Sequence, residues 1–127
     1  MNSKLLKKEK ISKKIRSDIL EMIIRKGKGH IGGTFSCVDI LVTLYFSSFL
    51  KINRTNFKNK NRNRFILSKG HACLALYSIL FNLKIISKEK FNSYGDNGGL
   101  GAQLDMKVPG VDWVTGSLGN ALGVACG

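Results

Sequence analysis

The sequence predicts an α/β fold that is rich in helix and contains an incomplete parallel sheet. Apolar residues recur at helical spacing over the first 26 positions, and a short β-prone run at 64–67 leads through a glycine turn into another apolar stretch. Strand, turn and helix in this order are typical of ligand-binding α/β proteins. With 127 residues, of which 43% are hydrophobic, the chain can form one modest core.

The first predicted element is an amphipathic helix near residues 4–26. Ile11, Ile15 and Ile19 fall on one helical face, so this face should be turned towards the core. Gly27 marks the predicted end of the helix, because glycine readily adopts the backbone conformation that follows a last helical turn.

Two further helices are predicted from the residues that would cap them. Ser36 and Asp39 resemble a capping box, so we expect a second, buried helix from about Cys37 to Leu50. Ser87 is placed to cap a short helix later in the chain.

The one predicted strand is the apolar run at 64–67, which delivers a glycine turn to the start of a helix through about Asn82. Residues 95–116 form a long glycine-rich loop, and loops of that length are usually functional or mobile. We expect the last segment, Leu118 to Cys126, to be helical and to pack on the strand.

The formal net charge of +13 raises the possibility of a nucleic-acid partner. The positive charge is concentrated in residues 4–16 and 51–64, and the second segment is a Lys/Asn-rich linker with a single aromatic residue. Because stacking on single strands needs several aromatic residues, we favour a solvated surface without a specific nucleic-acid site. A basic nucleic-acid-binding module that uses residues 4–16 remains an alternative.

The sequence also predicts a cytoplasmic protein without a membrane partner. Its longest apolar stretch falls well short of the roughly 20 residues that span a bilayer, and the basic first ten residues contain no apolar signal segment. Cys37, Cys73 and Cys126 are odd in number and widely spaced, which fits reduced thiols. We interpret these cysteines as core or incidental residues.

Three glycine-rich turns contain the residues with the strongest chemical signal. His30 lies within 27–33, His71 lies within 68–72, and a third turn spans 115–119. Glycine lets a ligand approach the backbone, and an imidazole can donate, accept or carry a proton near neutral pH. Together the turns predict part of an active site that holds an anionic ligand.

In their order and spacing, these segments resemble the N-terminal part of transketolase, the thiamine diphosphate-dependent enzyme that transfers ketol units between sugars. The resemblance covers nearly the whole chain. The motifs that carry it are Gly29-His30-x-Gly32-Gly33, Ser36-Cys37-Val38-Asp39-Ile40-Leu41, Arg64-Phe65-Ile66-Leu67-Ser68-Lys69-Gly70-His71-Ala72, Pro109-Gly110-Val111 and Thr115-Gly116-Ser117-Leu118-Gly119. The resemblance implies that residues 1–127 are the N-terminal part of a thiamine diphosphate-binding domain, similar to the start of the N-terminal subunit of a two-gene transketolase.

The resemblance also implies roles for individual residues. His30 corresponds to the family histidine near the reactive carbon of the cofactor, so it is the expected catalytic residue and a substrate-binding residue. His71 corresponds to the histidine that reaches the diphosphate, and Gly116 and Leu118 to positions that line the cofactor rings. From the residues alone, His30 can also be a solvated loop histidine, His71 a helix cap and Leu118 part of a packed helix start.

Two departures from the family pattern limit what the resemblance implies. Gln103 stands where the family usually has a histidine, so it is expected to bind a sugar hydroxyl but not to act as acid or base. The Gly-Asp-Gly segment that holds Mg²⁺ or another divalent cation, and the pyrimidine-binding domain, do not occur in the sequence. We therefore expect a truncated domain without its own metal ligands, inactive as the isolated chain.

A complete enzyme would need a partner: the transketolase C-terminal subunit or the remainder of the same polypeptide. The resemblance implies a homodimer or heterotetramer that binds thiamine diphosphate and a divalent cation and acts on sugar substrates. A non-catalytic remnant that only packs on a partner subunit remains the second alternative.

Overall fold

The computed structural model describes residues 3–127, and the predicted helix-rich character is confirmed. In chain order the elements are α1 (Ser3–Lys26), α2 (Ile31–Phe35), α3 (Val38–Tyr45), a 3₁₀ turn (Gly70–Ala72), α4 (Cys73–Asn82), α5 (Lys88–Asn92) and α6 (Asn120–Cys126). None of the helices in residues 3–127 has the length and apolar character that a membrane crossing requires.

Helix α4 lies at the centre of the core. All eight residues from 73 to 80 are buried, and α1 and α3 both pack against this helix and against each other. The predicted apolar face of α1 is confirmed, because Ile15, Ile19 and Met22 are at most 1% exposed. Removing this much apolar surface from water is the main favourable contribution to the fold.

Helix α1 ends where the sequence predicts. Gly27 donates its backbone N–H to Ile23 O at 2.9 Å and has a φ of +64°, a left-handed conformation that favours glycine. Lys26 forms an ion pair with Asp96 at 2.6 Å, so the end of the helix is tied to the loop after α5.

The second predicted helix is shorter than expected and has a different start. Helix α3 ends at Tyr45 and not at Leu50. Ser36 belongs to the turn before the helix, where its hydroxyl donates to a backbone oxygen, and Asp39 pairs with Arg16 of α1 at 2.7 Å. The capping-box prediction is wrong because both side chains take other partners, one of them distant in the sequence.

The cap predicted for the short helix α5 is confirmed. Ser87 Oγ accepts a hydrogen bond from the backbone N–H of Lys90 at 3.1 Å. The long loop that follows is packed on the rest of the chain through Leu100, Leu104 and Val108, which are all buried. These apolar anchors hold the loop against the core although it has no regular secondary structure.

The expected parallel sheet has no counterpart in residues 3–127, where no β-strand occurs. A strand needs a neighbour with which it forms a ladder of hydrogen bonds, and the run at 64–67 has none among the described residues. The sheet therefore stays a prediction. Helix α6 confirms the predicted helical character of this last segment and approaches the run through a hydrogen bond from Ala121 N to Ser68 Oγ at 3.3 Å. Its Ala121 and Val124 are half-buried, and its packing on a strand stays a prediction.

The Lys/Asn-rich linker is anchored by a buried carboxylate that the local sequence does not reveal. Asp112 accepts hydrogen bonds from Arg62 Nη2 at 2.5 Å, Arg64 Nη1 at 3.0 Å and the backbone N–H of Phe65 at 2.9 Å. The side chains of Arg62 and Asp112 are only 6% and 5% exposed. The expectation of a solvated surface over 51–64 is therefore wrong at Arg62.

The surroundings of Asp112 lower the pKa of its carboxyl group. Burial by itself would raise this pKa, but the hydrogen bonds from Arg62, from the Phe65 amide and from Arg64 stabilise the carboxylate more, and the net pKa lies below the ordinary 3.8. A carboxyl with a lowered folded-state pKa stabilises the fold above its unfolded pKa. That contribution is lost as the pH falls through the folded pKa.

We expect Asp112→Asn to lower the free energy of unfolding by about 3–5 kcal/mol at neutral pH, because it leaves the Arg62 guanidinium buried without its counter-charge. Urea denaturation followed by circular dichroism measures the loss. Asp39→Asn is the control: this carboxylate is 70% exposed in its pair with Arg16, so its loss costs less than about 1 kcal/mol. Equal losses for the two variants would contradict the prediction.

The stability difference between the wild type and Asp112→Asn should also depend on pH. It should be largest above the unfolded-state pKa of about 4 and should shrink as the pH is lowered, because the wild-type carboxyl is then protonated as well. Denaturation curves for both proteins between pH 3 and pH 7, a range of roughly four units around that pKa, test this. A difference that does not change with pH would refute the assignment of the lowered pKa to Asp112.

Candidate active site

The two histidine-bearing turns lie side by side in the structure. The ring centroids of His30 and His71 are 5.4 Å apart, and the rings are inclined by 68°. His30 stands immediately before α2 and is exposed, whereas His71 lies in the 3₁₀ turn before α4 and is half-buried. The fold thus brings together the two histidines that the sequence singled out.

His30 and Lys69, the residues that precede α2 and the 3₁₀ turn, have nearly the same backbone conformation. His30 has φ −108° and ψ 83°, and Lys69 has φ −104° and ψ 84°; a helical turn begins at the next residue in both cases. His30 makes no capping hydrogen bond with its side chain. The cap positions of the 3₁₀ turn and of α4 are occupied by Lys69 and Ala72, so His71 is not a helix cap.

Gly33 allows the His71 ring to lie directly against α2. A Cβ atom at this position would stand 2.7 Å from His71 Nε2 and 2.8 Å from His71 Cδ2, which is closer than such contacts occur in proteins. The absence of a side chain at Gly33 is therefore a steric requirement for the observed ring position.

Lys69 joins the first turn to the second. Its ammonium donates to Gly33 O at 2.8 Å and to Ser36 Oγ at 2.7 Å, and Ser36 Oγ donates to Gly33 O at 3.0 Å. Burial raises the pKa of the neighbouring Cys37 thiol, and the Lys69 charge acts against this shift. The ammonium, the hydroxyl and the backbone carbonyl form a closed network between α2 and the 3₁₀ turn.

Gln103 is held over the second turn by the loop that contains it. Tyr77 Oη donates to Gln103 O at 2.8 Å, and burial raises the pKa of the Tyr77 hydroxyl, which therefore remains a donor. Thr115 Oγ1 accepts from Leu104 N at 3.3 Å. A Cβ atom at Gly70 would overlap Gln103 Oε1 and Thr115 Oγ1, so both side chains lie over the glycine that precedes the second histidine.

Gly116 and Leu118 are not packed into this cluster. Among the described residues, no atom beyond its chain neighbours lies within 4 Å of the place that a Cβ on Gly116 would take, and Leu118 is 68% exposed. The possibility that Leu118 belongs to a packed helix start is therefore wrong for residues 3–127. Instead, Leu118 presents an uncovered apolar surface close in the chain to Thr115.

Gln103 is one of the residues that line an open groove of about 800 Å³. Three glycines, at 98, 99 and 101, line it together with Lys90, Lys107 and Val114. This volume falls within the range of small-molecule sites, and the lining combines apolar surface with a few charged groups. We call it the Gln103 groove.

The cysteines and acids of residues 3–127 do not form a metal centre: no three His, Cys, Asp or Glu side chains in this range are grouped to hold an ion. Cys37 and Cys73 are buried and Cys126 is exposed, and all three are free thiols. Burial raises the pKa of Cys73 to about 12. The interpretation of Cys37 and Cys73 as core residues is confirmed.

Comparison with known proteins identifies the class to which this fold and site belong. Residues 7–127, a range that contains both histidine turns and Gln103, match the family described as transketolase, thiamine diphosphate binding domain. The chain belongs to this family, as the resemblance of its motifs predicted.

Several curated relatives are similar over nearly all of this chain. It is 37% identical to one subunit of the apulose-4-phosphate transketolase of Phocaeicola vulgatus, over 91% of this chain and 41% of that protein. It is 37% identical to 6-deoxy-6-sulfo-D-fructose transketolase subunit SqwG of a Clostridium species, over 89% and 42%. With the transketolase of Buchnera aphidicola subsp. Baizongia pistaciae it shares 36% identity, over 94% and 18%. The chain thus spans less than half the length of these relatives.

Three residues near the histidines were not predicted from the sequence. Lys69 lies two positions before the second histidine, and its charge within an otherwise uncharged segment is the only local signal for it. Tyr77 lies in an apolar helix and Thr115 in a glycine-rich turn, so neither has a signal of its own. Their contacts join segments far apart in the sequence and become visible only in the fold.

We expect Gly33→Ala to move the His71 ring and to leave the fold intact, because the new methyl group meets only an imidazole that can rotate away. NMR spectra of the histidine ring protons measure the displacement. Gly32→Ala is the matched control in the same helix, since nothing lies within 4 Å of its Cβ position among the described residues. Ring spectra that respond equally to both substitutions would contradict the prediction.

Proposed function

We propose that this chain supplies the histidine-bearing part of a transketolase-type active site. The complete enzyme would transfer a two-carbon ketol unit between sugars with thiamine diphosphate. The observation that carries this proposal is the 5.4 Å separation of the His30 and His71 rings, with Gln103 over the glycine that precedes the second ring. Membership in a family of thiamine diphosphate-binding domains supports it.

The residues present fit one part of the cofactor. His71 is half-buried, and its ring and the Lys69 ammonium both lie against Gly33, so this turn can receive a negatively charged diphosphate. Leu118 offers an exposed apolar side chain for the cofactor rings, and Gly116 leaves the backbone accessible beside it. When bound, thiamine diphosphate supplies the thiazolium carbon at which carbon–carbon bonds are broken and formed.

The two histidines would have different roles because they differ in exposure. His30 is exposed, so it can reach a sugar hydroxyl and accept or return its proton. His71 is packed against Gly33 and is therefore better suited to holding a fixed group than to following a substrate. Gln103 lines the Gln103 groove, where its amide would hydrogen-bond a sugar hydroxyl as both donor and acceptor.

The remaining parts of the enzyme would come from outside residues 1–127. Two of the relatives are named as subunits of transketolases, and the chain spans about 41% of the first of them. We therefore propose a partner that is a transketolase C-terminal subunit or the remainder of the same polypeptide, in a homodimer or heterotetramer. This part would also supply the ligands of Mg²⁺ or another divalent cation, and the cytoplasmic location stays a prediction.

The contacts of the basic residues favour the enzyme over the nucleic-acid alternative. Arg16 pairs with Asp39 at 2.7 Å and Arg62 with Asp112 at 2.5 Å, so two arginines of the basic segments are engaged within the fold. Phosphate binding requires cations that are free to contact a nucleic-acid backbone. The non-catalytic alternative predicts no ketol transfer in any assembly and is tested by the assays below.

The 127-residue chain by itself should bind thiamine diphosphate weakly or not at all, even with Mg²⁺. A diphosphate loses much hydration on binding, and we expect the metal ligands that compensate for this loss to lie in the remaining part of the enzyme. Isothermal titration calorimetry measures the affinity of the isolated chain and of the chain assembled with its partner. A micromolar or tighter dissociation constant for the isolated chain would overturn this prediction.

In the assembled enzyme, His30→Ala should lower kcat by on the order of 10²-fold or more, the usual effect of losing a positioned acid or base. Gln103→Ala should chiefly raise KM for the sugars, because a neutral amide contributes binding but no proton transfer. Steady-state ketol-transfer kinetics compare the two variants. A loss of kcat for Gln103→Ala equal to that for His30→Ala, at unchanged KM, is the result that would refute these roles.

A further inference from the structure

The position of His30 depends on what holds α2 in place. This helix has only five residues, and a helix of that length has little stability of its own. It packs against the 3₁₀ turn that contains His71. The geometry of the histidine pair therefore depends on contacts between α2 and this turn.

Lys69 provides the polar part of these contacts. Its Nζ lies 2.8 Å from Gly33 O, within α2, and 2.7 Å from Ser36 Oγ, at the end of α2. Lys69 is also the residue from which the 3₁₀ turn begins, two positions before His71. The half-buried Lys69 side chain thus connects the turn that contains His71 to α2, the helix that follows His30.

The two acceptors determine where α2 can lie. An ammonium has three N–H donors. The Lys69 ammonium donates to two acceptors that lie three residues apart, Gly33 O and Ser36 Oγ. In the part of the chain that the structure describes, no carboxylate forms an ion pair with Lys69. Its partners are therefore a carbonyl and a hydroxyl, whose bonds have a directional preference that a bare charge pair lacks.

We propose that Lys69 is a positioning residue, whose ammonium fixes α2 against the 3₁₀ turn and thereby sets the separation of the His30 and His71 rings. The structural part of this inference stands on the contacts of Lys69. Its catalytic consequence rests on the proposed function of the two histidines. Without the ammonium, α2 keeps its apolar contacts but loses the two bonds that set its distance from the turn.

The chain contains two histidines, so its NMR spectrum has two sets of imidazole signals. With centroids 5.4 Å apart, ring protons of His30 and His71 should give a mutual nuclear Overhauser effect in the 127-residue chain. Lys69→Met should abolish this effect and shift both sets of ring signals, while circular dichroism shows unchanged helix content. Lys69→Arg keeps two donors and should retain it. Lys14→Met, an exposed lysine of α1, is the control and should change nothing at the rings.

Three results would overturn the inference: no ring-to-ring effect in the wild type, an effect that survives in Lys69→Met, or an equal loss in the Lys14→Met control. If Lys69→Met unfolds the chain, Ser36→Ala decides, because it removes one acceptor and leaves the lysine in place. A weakened effect in folded Ser36→Ala supports the positioning role. An unchanged effect refutes it.

Kinetics separate this inference from the proposed function. In the assembled enzyme, Lys69→Met should lower kcat by on the order of 10-fold to 10²-fold, as small misplacements of reacting groups do, and Lys69→Arg should restore most of it. A wild-type assembly without ketol-transfer activity would refute the proposed function and leave the NMR result standing. Normal kcat in Lys69→Met, together with an altered NMR spectrum, would refute the catalytic consequence of the positioning.

Discussion

The burial of α4 is the constraint on which the rest of the structure depends. Eight consecutive residues, 73–80, have no exposed face, so neighbouring segments must cover the helix on all sides. Helices α1 and α3 cover part of it. The loop over 95–116 covers another part, where Gln103 O accepts from Tyr77 and Gly110 lies against Leu80. A helix this apolar is stable only when it is surrounded, which explains why a long loop without secondary structure is packed so closely.

The same helix brings the parts of the candidate site together. His71 lies immediately before α4, and Tyr77 within it binds the loop that carries Gln103. The first histidine turn reaches the same place because α1 packs along α4 and ends at Lys26, shortly before His30. The site therefore forms where one buried helix begins, and the covering segments each contribute one group to it.

A structural feature could be predicted from the sequence when the residues that cause it lie close together in the chain. The extent of α1, its stop at Gly27 and the cap at Ser87 follow from residues within a turn or two of each other, and the structure confirms them. The early end of α3 and the Arg62–Asp112 pair depend on partners far along the chain, which no local pattern reveals. The strand at 64–67 was predicted from β-propensity, but a strand also needs a neighbour. For the candidate site, the motifs singled out both histidines and Gln103 as candidates, whose roles stay predictions, whereas the contacts of Lys69 became visible only in the structure.

The histidine pair is built entirely from contacts inside this chain. The glycine that makes room for the second ring and the lysine that bridges the turns both lie within residues 33–69. Contacts within the chain thus order the pair, and association with the proposed cofactor or partner would not have to supply the ordering of these two turns. An interface with a second polypeptide can therefore follow this segment. If that interface packed poorly, ligand binding would weaken, but the two imidazole rings would keep their relative positions. Two relatives are named as subunits of transketolases, and a chain that orders its histidine pair internally is compatible with such a division.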